Sequence, residues 1–514
     1  MQEVDDDYSN EYYLNNHPKN FKIISCLIIL IITGFIIRFS EIDLTNIPEL
    51  KNYRNRALKV LYPSNKCRFI TGRTLFFPSD LRNNTKDIEN EYNIKNYKNK
   101  RNSYVTYYLG DEEYYQYEKY LDNLGLIRSK EIYADNNFFL SKRAVNLLRN
   151  SGSSYNINSL RKYYRLFGYL VFLKKEFYFQ YTEMKKRFND DYDFMPETYS
   201  YPKDKDIIYK KFENYTLSFD NLWFVKPTNS FGGKGIKIFR SLDKIKDKEE
   251  YILNKYIVNL DLINNKKYDF RLYILVTGLK PLRIYLNQEG LIRIASQNFS
   301  LTKQSLGDKY VHLTNTGINS NSKNFIVPNN DGSEEANIWN FHTYANYLKR
   351  KKVDYNKIRD KIKDIVIKSM ISVYQNLTEE LDKNNLNDIN FFDILGFDII
   401  ITDEYEPILL EINSGPSTTM YNKLDKPIKT NLFADSLNIA GISIFSKNVF
   451  NKKDNSFIKV EDRVNNAFCE LDRPRGDFEL IFPLKENINI YEKFFKGINS
   501  IENTLFWKRI LKNS

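Results

Sequence analysis

The period of apolar and polar positions changes several times along the chain. In INSLRKYYRLFGYLVFLKKEFYFQYTEMKKRF, residues 157–188, apolar residues recur at helical spacing and predict one or two helices. Pro196 and Pro202 in DFMPETYSYP end that pattern. From Asn221 onward strands dominate, with LWFVKP, GIKIFR, YILNKYIV, YDFRLYILVT and LRIYLNQEGLIRIAS each read as one. Residues 355–381 return to helical spacing as a long amphipathic helix. LGFDIIITDEYEPILLEINSGPS, 395–417, then reads as two apolar strands joined by a short polar turn, and a helix is expected near IKTNLFADSLNIAG. Before Ile157 the pattern is mixed and Asn-rich, with a helix expected at SKRAVNLLRN. Strands interleaved with helices on short connections predict an α+β fold with largely antiparallel sheets and flanking helices.

One apolar run stands apart from this pattern. IISCLIILIITGFII, 23–37, lies between Lys22 and Arg38. It falls short of the roughly 17–25 apolar residues of a full span, but Phe21 and the stems of Lys22 and Arg38 lengthen it. We expect a single membrane-anchor helix over 21–40, following an acidic tail over 1–20. A cleaved signal peptide is disfavoured because MQEVDDDYSNEYY is acidic, and a buried core helix is the competing reading. Lys19 and Lys22 precede the run while Arg38, Lys51, Arg54 and Arg56 follow it, a bias that puts the long C-terminal part in the cytosol. The remainder divides into an N-terminal region 41–155, a central region 156–445 and a C-terminal extension 446–514.

Composition narrows the function classes. A chain of 514 residues accommodates two or three domains, and its net charge of +12 favours an acidic partner. The basic runs KNYKNKR (95–101) and KRKK (349–352) are candidate contacts, although most such runs are solvated faces. A nucleic-acid partner is not expected, because charge is its only support and no recognition module accompanies it. Cys26, Cys67 and Cys469 are far apart, so no metal motif or disulfide framework is expected, in keeping with a reducing compartment. His17, His312 and His342 are the only histidines, a poor supply for a zinc site or a Ser-His-Asp triad.

The chemistry is carried by polar residues placed inside apolar strands. If the two strands of 395–417 pair antiparallel, Asp398 lies close to Glu411 and Asn413. The last two are two apart and so leave one face. Three oxygen-bearing side chains on one face suit a hard divalent ion such as magnesium. In FVKPTNSFGGKGIKIF, Gly232, Gly233 and Gly235 permit close approach to phosphate oxygens, with Lys226 and Lys234 supplying charge. Lys267, Asp269 and Arg271 alternate along one strand and share a face, and Arg293 ends the next. VHLTNTGIN adds His312, Thr314 and Asn315.

Together these pieces resemble the tubulin tyrosine ligase-like family. PETYSYP, FVKP, GGKGI, NKYI, KYDFRLYILVT, PLRIYLNQEGLIR, HLTN, LGFDIII, ILLEINSGPS and LDKPIKTNLFADSLNIAG occur in family order. The resemblance implies an ATP-grasp catalytic core that ligates a free amino acid through an acyl phosphate, with ATP and magnesium. Lys226, Gly233 and Lys234 would then hold phosphates, and Asn254, Lys255, Tyr256 and Ile257 would line the adenine pocket. Lys267, Asp269, Thr314 and Asn315 would complete the nucleotide site. Arg271 and Arg293 would face phosphate and the incoming amino acid, Lys429 would bind that amino acid, and Asp398, Glu411 and Asn413 would hold magnesium. Arg271, Arg293 and Glu411 are the expected catalytic set.

Three positions depart from the family pattern: Gly232 where Arg is common, Asn254 for a usual Gln, and Thr316–Gly317 where Tyr–Ser is frequent. RPRGDFELIFP, 473–483, resembles a segment of the glutamylating members. The resemblance therefore implies a tubulin polyglutamylase, with tubulin or another acidic tail, free glutamate and microtubules as partners. A glycylase, a tyrosine ligase and an inactive membrane-tethered microtubule-binding protein are the alternatives.

Overall fold

The computed structural model describes residues 168–213, 221–230, 232–240, 249–329, 333–444 and 458–512, with shorter pieces between 59 and 166. The tail 1–20 and the expected anchor 21–40 lie outside the described residues. Among the described residues no helix is long and apolar enough to cross a membrane.

Strands β1 (Lys59–Leu61), β2 (Thr74–Phe76) and β3 (Ile94–Asn96) form a small antiparallel sheet in the order β2–β1–β3. β4 (Thr106–Leu109), helix α1 (Glu118–Asn123), β5 (Ile127–Ser129), β6 (Phe138–Leu140), α2 (Ala144–Asn150) and β7 (Lys162–Tyr164) follow. These last four strands pair in parallel, against the antiparallel expectation. β7 also falls within the stretch read as helix. Its Tyr163 ring stacks between Phe139 at 4.8 Å and Phe391 at 5.6 Å, so cross-strand aromatic packing overrides the helical spacing. Only α3 (Lys174–Phe188) takes the predicted helical form.

Next, β8 (Thr198–Tyr201), α4 (Lys205–Glu213), β9 (Trp223–Pro227), β10 (Lys237–Phe239) and β11 (Tyr251–Lys255) build a four-stranded antiparallel sheet ordered β10–β9–β11–β8. Then come β12 (Tyr268–Leu279), β13 (Leu282–Ile294), β14 (Ile338–Trp339), α5 (Phe341–Arg350), α6 (Tyr355–Lys383), β15 (Phe391–Ile401) and β16 (Pro407–Ser414). The chain finishes with α7 (Asp425–Ala440), α8 (Val460–Glu470), β17 (Phe478–Phe482) and α9 (Ile501–Lys512). A ten-stranded sheet runs β14–β13–β12–β15–β7–β6–β4–β5, with β16 also on β15 and β17 on β13.

Residue parity assigns the two faces of this sheet. Phe270, Leu272 and Ile274 of β12 pack with Ile365, Met370 and Leu377 of α6. Tyr273 and Leu275 pack on the other side with Leu432, Phe433 and Leu437 of α7. Asp269 and Arg271 share the parity of Tyr273, and Asp398 that of Ile394, so these charges leave the sheet on its α7 face. RPRGDFELIFP supplies β17 and joins the sheet through antiparallel pairing with β13.

The cysteine reading is corrected. Cys67 and Cys469, both buried, form a disulfide with a Cα–Cα distance of 5.6 Å. Pairing across 402 residues leaves no signature in local spacing, and the fold alone brings the two together. Cysteine spacing therefore no longer argues for a reducing compartment.

Candidate active site

The hairpin of β15 and β16 pairs as its sequence predicts, with Asp398 opposite Glu411 and Gly396 opposite Asn413. Asn413 Nδ2 donates to Asp398 Oδ2 and to Glu411 Oε1, each at 3.4 Å, so the three expected metal ligands meet. Among the described residues no cluster of three or more His, Cys, Asp or Glu forms a metal cage. The donor set is two carboxylates and an amide. That suits magnesium, which is commonly held by one or two carboxylates with phosphate oxygens and water completing the shell.

Cations surround these carboxylates. Arg271 Nε donates to Asp398 Oδ1 at 2.6 Å and its Nη2 to Oδ2 at 3.1 Å. Arg293 pairs with Asp269 and reaches Asp398 Oδ2 at 3.0 Å. Burial pushes the Asp398 carboxyl up, but the two guanidiniums outweigh it and hold the group well below the usual carboxylate range. Asp269, which shares Arg293 with Asp398, is pushed up by burial.

The cleft spans the space between the four-stranded sheet and the α7 face of the large sheet, about 900 Å³ counting the part open to solvent. One wall is the turn after β9. Gly233 has φ of +79°, and a Cβ there would meet Ile318 Cδ1 at 2.6 Å and Asn315 Oδ1 at 3.0 Å, so glycine is required. Lys226, Lys234 and Lys267 line the same cleft. Lys267 Nζ lies 4.9 Å from the Phe224 ring and 4.8 Å from the Tyr256 ring. Burial pushes it down to about 7, with Asp269 opposing and Lys226 adding to the shift. Burial lowers Lys226 as well. Among the described residues neither group has a carboxylate within ion-pair distance.

Asn254, Lys255, Ile257, Asp269, Thr314 and Asn315 also line the cleft. Asn254 donates to Thr198 Oγ1 at 2.7 Å, which fixes its amide. Tyr256 instead lies behind the wall. Its ring stacks on Phe224 at 4.7 Å, and its hydroxyl bonds His312 Nδ1 at 2.8 Å. Burial and the Lys267 charge push His312 down to about 4, so it stays neutral at physiological pH.

Two further expected residues are not on the cleft wall. Arg271 is turned to Asp398. Lys429 is buried on α7, where its Nζ bonds Asp425 at 3.0 Å and the Thr419 carbonyl at 2.5 Å. Lys174 is the residue that sequence reasoning missed. At the start of α3 it donates to the Ser230 carbonyl at 3.0 Å and lies 3.6 Å from Glu411, tying the phosphate turn to the hairpin. A signal existed: Lys174 and Lys175 occupy a helix first turn, where the dipole disfavours cations.

Residues 153–449 match the family described as Tubulin-tyrosine ligase family. A probable beta-tubulin polyglutamylase of Tetrahymena thermophila is 31% identical over 331 residues, 59% of this chain and 27% of the relative. A tubulin monoglutamylase of Homo sapiens is 32% identical over 261 residues, 51% and 22% respectively. A tubulin polyglutamylase of Homo sapiens is 31% identical over 349 residues, 63% and 38% respectively. The matched part is thus 38% or less of the length of each of these relatives.

Proposed function

The chain belongs to the tubulin-tyrosine ligase family, and from that premise we propose that it is an ATP-dependent ligase adding glutamate to glutamate side chains of acidic protein tails, tubulin foremost. The observation that carries this reading is the meeting of Asp398, Glu411 and Asn413 with a Gly-rich, lysine-lined turn across one cleft. An ATP-grasp core, with nucleotide held between two antiparallel sheets, fits that arrangement. Magnesium bound by the three donors supplies charge neutralisation during phosphoryl transfer. Lys226, Lys234 and Lys267 hold the phosphates. Arg271 and Arg293 keep Asp398 ionised and oriented. The acceptor carboxylate is activated as an acyl phosphate, which the amine of free glutamate then attacks, so no nucleophilic triad is needed. The relatives' printed names favour glutamate as the donor. Lys429 is held by Asp425 and the Thr419 carbonyl, and in this reading other residues of the cleft share the selection of the donor.

The same reading places residues 21–40 in a membrane, with the catalytic region 156–445 facing the cytosol and its microtubules. Incubating the purified protein with ATP, magnesium, tubulin and labelled glutamate, glycine or tyrosine tests the assignment. Glutamate incorporation is expected; incorporation of glycine or tyrosine alone would overturn it.

A further inference from the structure

Two strands meet head-on at one edge of β15. β7 runs parallel to β15 and pairs with Phe391 and Phe392. β16 runs antiparallel and ends where Ser414 pairs with Leu395. Both chains must leave the sheet at that gap, and both do so through residues with positive φ, Arg165 at +100° and Gly415 at +69°. Glycine adopts such a conformation freely. An arginine rarely does, and residues held this way concentrate at ligand sites. Crevices where neighbouring strand ends depart in different directions are recurrent binding positions.

The Arg165 side chain is 91% buried, by its 9% exposure. Its backbone amide donates to the Phe392 carbonyl at 2.8 Å, which pins the residue in the gap. Nη2 donates to Ser414 Oγ at 2.7 Å and to the Ser414 carbonyl, and the guanidinium lies 3.8 Å from the Tyr169 ring. Nε is buried and has no partner. Among the described residues no carboxylate lies within ion-pair distance of Arg165, whereas the buried Arg271, Arg283 and Arg293 each have one. A buried guanidinium with no counter-charge is costly, and one held against a ring and a serine is ordered in advance for a carboxylate.

We propose that Arg165 binds a carboxylate of the acidic acceptor chain where it crosses the ends of β7 and β16, next to Asn413. This rests on the ligase reading above. The lysines of the cleft account for phosphate, and Arg271 and Arg293 are already paired. Arg165 stands outside the cleft lining, in the gap along β15 where β7 and β16 end, so its ligand is a group that reaches past the nucleotide cleft.

The test uses the full chain and a short fluorescent glutamate-rich peptide, with binding followed by anisotropy in the presence of a non-hydrolysable ATP analogue. Arg165→Gln should weaken peptide binding at least about tenfold, and Arg165→Lys, which keeps the charge but loses the fork, by less. Affinity for the ATP analogue and the melting temperature should stay near those of the parent. Unchanged peptide affinity in Arg165→Gln overturns the proposal, as does a parallel loss of nucleotide affinity, which marks Arg165 as a brace for β16 alone. Either result leaves nucleotide binding and ligation by the parent protein standing. Failure of the parent to bind the ATP analogue overturns the ligase reading itself.

Discussion

Glu411 accepts from Asn413 and faces Lys174, so replacing it by Gln keeps the shape of the cluster and removes its charge. Glu411→Gln should lower the ligation rate by about a hundredfold or more, the scale seen when one charge-stabilising group is lost. The fold should persist, and near-normal turnover at saturating magnesium would end the metal assignment. Lys267 gives a pH dependence. Its folded value near 7 lies below the ordinary 10.5, so between these two values the unfolded chain binds more protons. Stability of the ligand-free protein therefore rises with pH across that window. Phosphate restores the charge, so ATP binding above pH 7 should take up a proton and weaken as pH rises. Calorimetry in two buffers of different ionisation enthalpy measures that proton directly; no uptake at pH 8 would remove Lys267 from the phosphate site. The spacing of Glu411 and Asn413 was legible because a strand has period two. The burial of Lys429 was not, because Asp425 and the Thr419 carbonyl satisfy it through a turn of helix and a loop.

At the scale of elements, the hairpin of β15 and β16 was legible because both strands are continuous apolar runs separated by a polar turn. β7 was not, since three residues carry no period and their strand state is set by rings from β6 and β15. The disulfide was invisible for the related reason that contact between distant segments is a property of the fold. The turn after β9 shows the opposite case, a local sequence with a local requirement. At Gly233 an added methyl meets Ile318 and Asn315, and the positive φ costs a further 1–2 kcal/mol or so for an L residue. Gly233→Ala should therefore raise the KM for ATP by about tenfold, with a smaller effect on the KM for free glutamate. A kinetic matrix over both substrates separates the two, and equal changes in both would show that the turn does not serve phosphate in particular.

For the whole molecule, the remaining question is how the residues before 59 relate to catalysis. The family match begins at residue 153, and every described residue that lines the cleft lies between Lys174 and Asn413. In the proposed arrangement the apolar run 23–37 is an anchor separate from the site. Deleting residues 1–40 should release a soluble protein with the parent's KM for ATP and the parent's rate on an acidic peptide. The intact chain should stay with membranes through alkaline carbonate extraction, since roughly 15–18 apolar residues bounded by Lys22 and Arg38 hold hydrocarbon rather than headgroup charge. If the proposed topology holds, the catalytic part faces the cytosol, so protease added to sealed vesicles from the cytosolic face should digest it. An insoluble, inactive truncation would show instead that 23–37 packs as a helix inside the fold. Its apolar surface would then be needed to complete the core, and the basic flanks would be surface residues with no topological meaning.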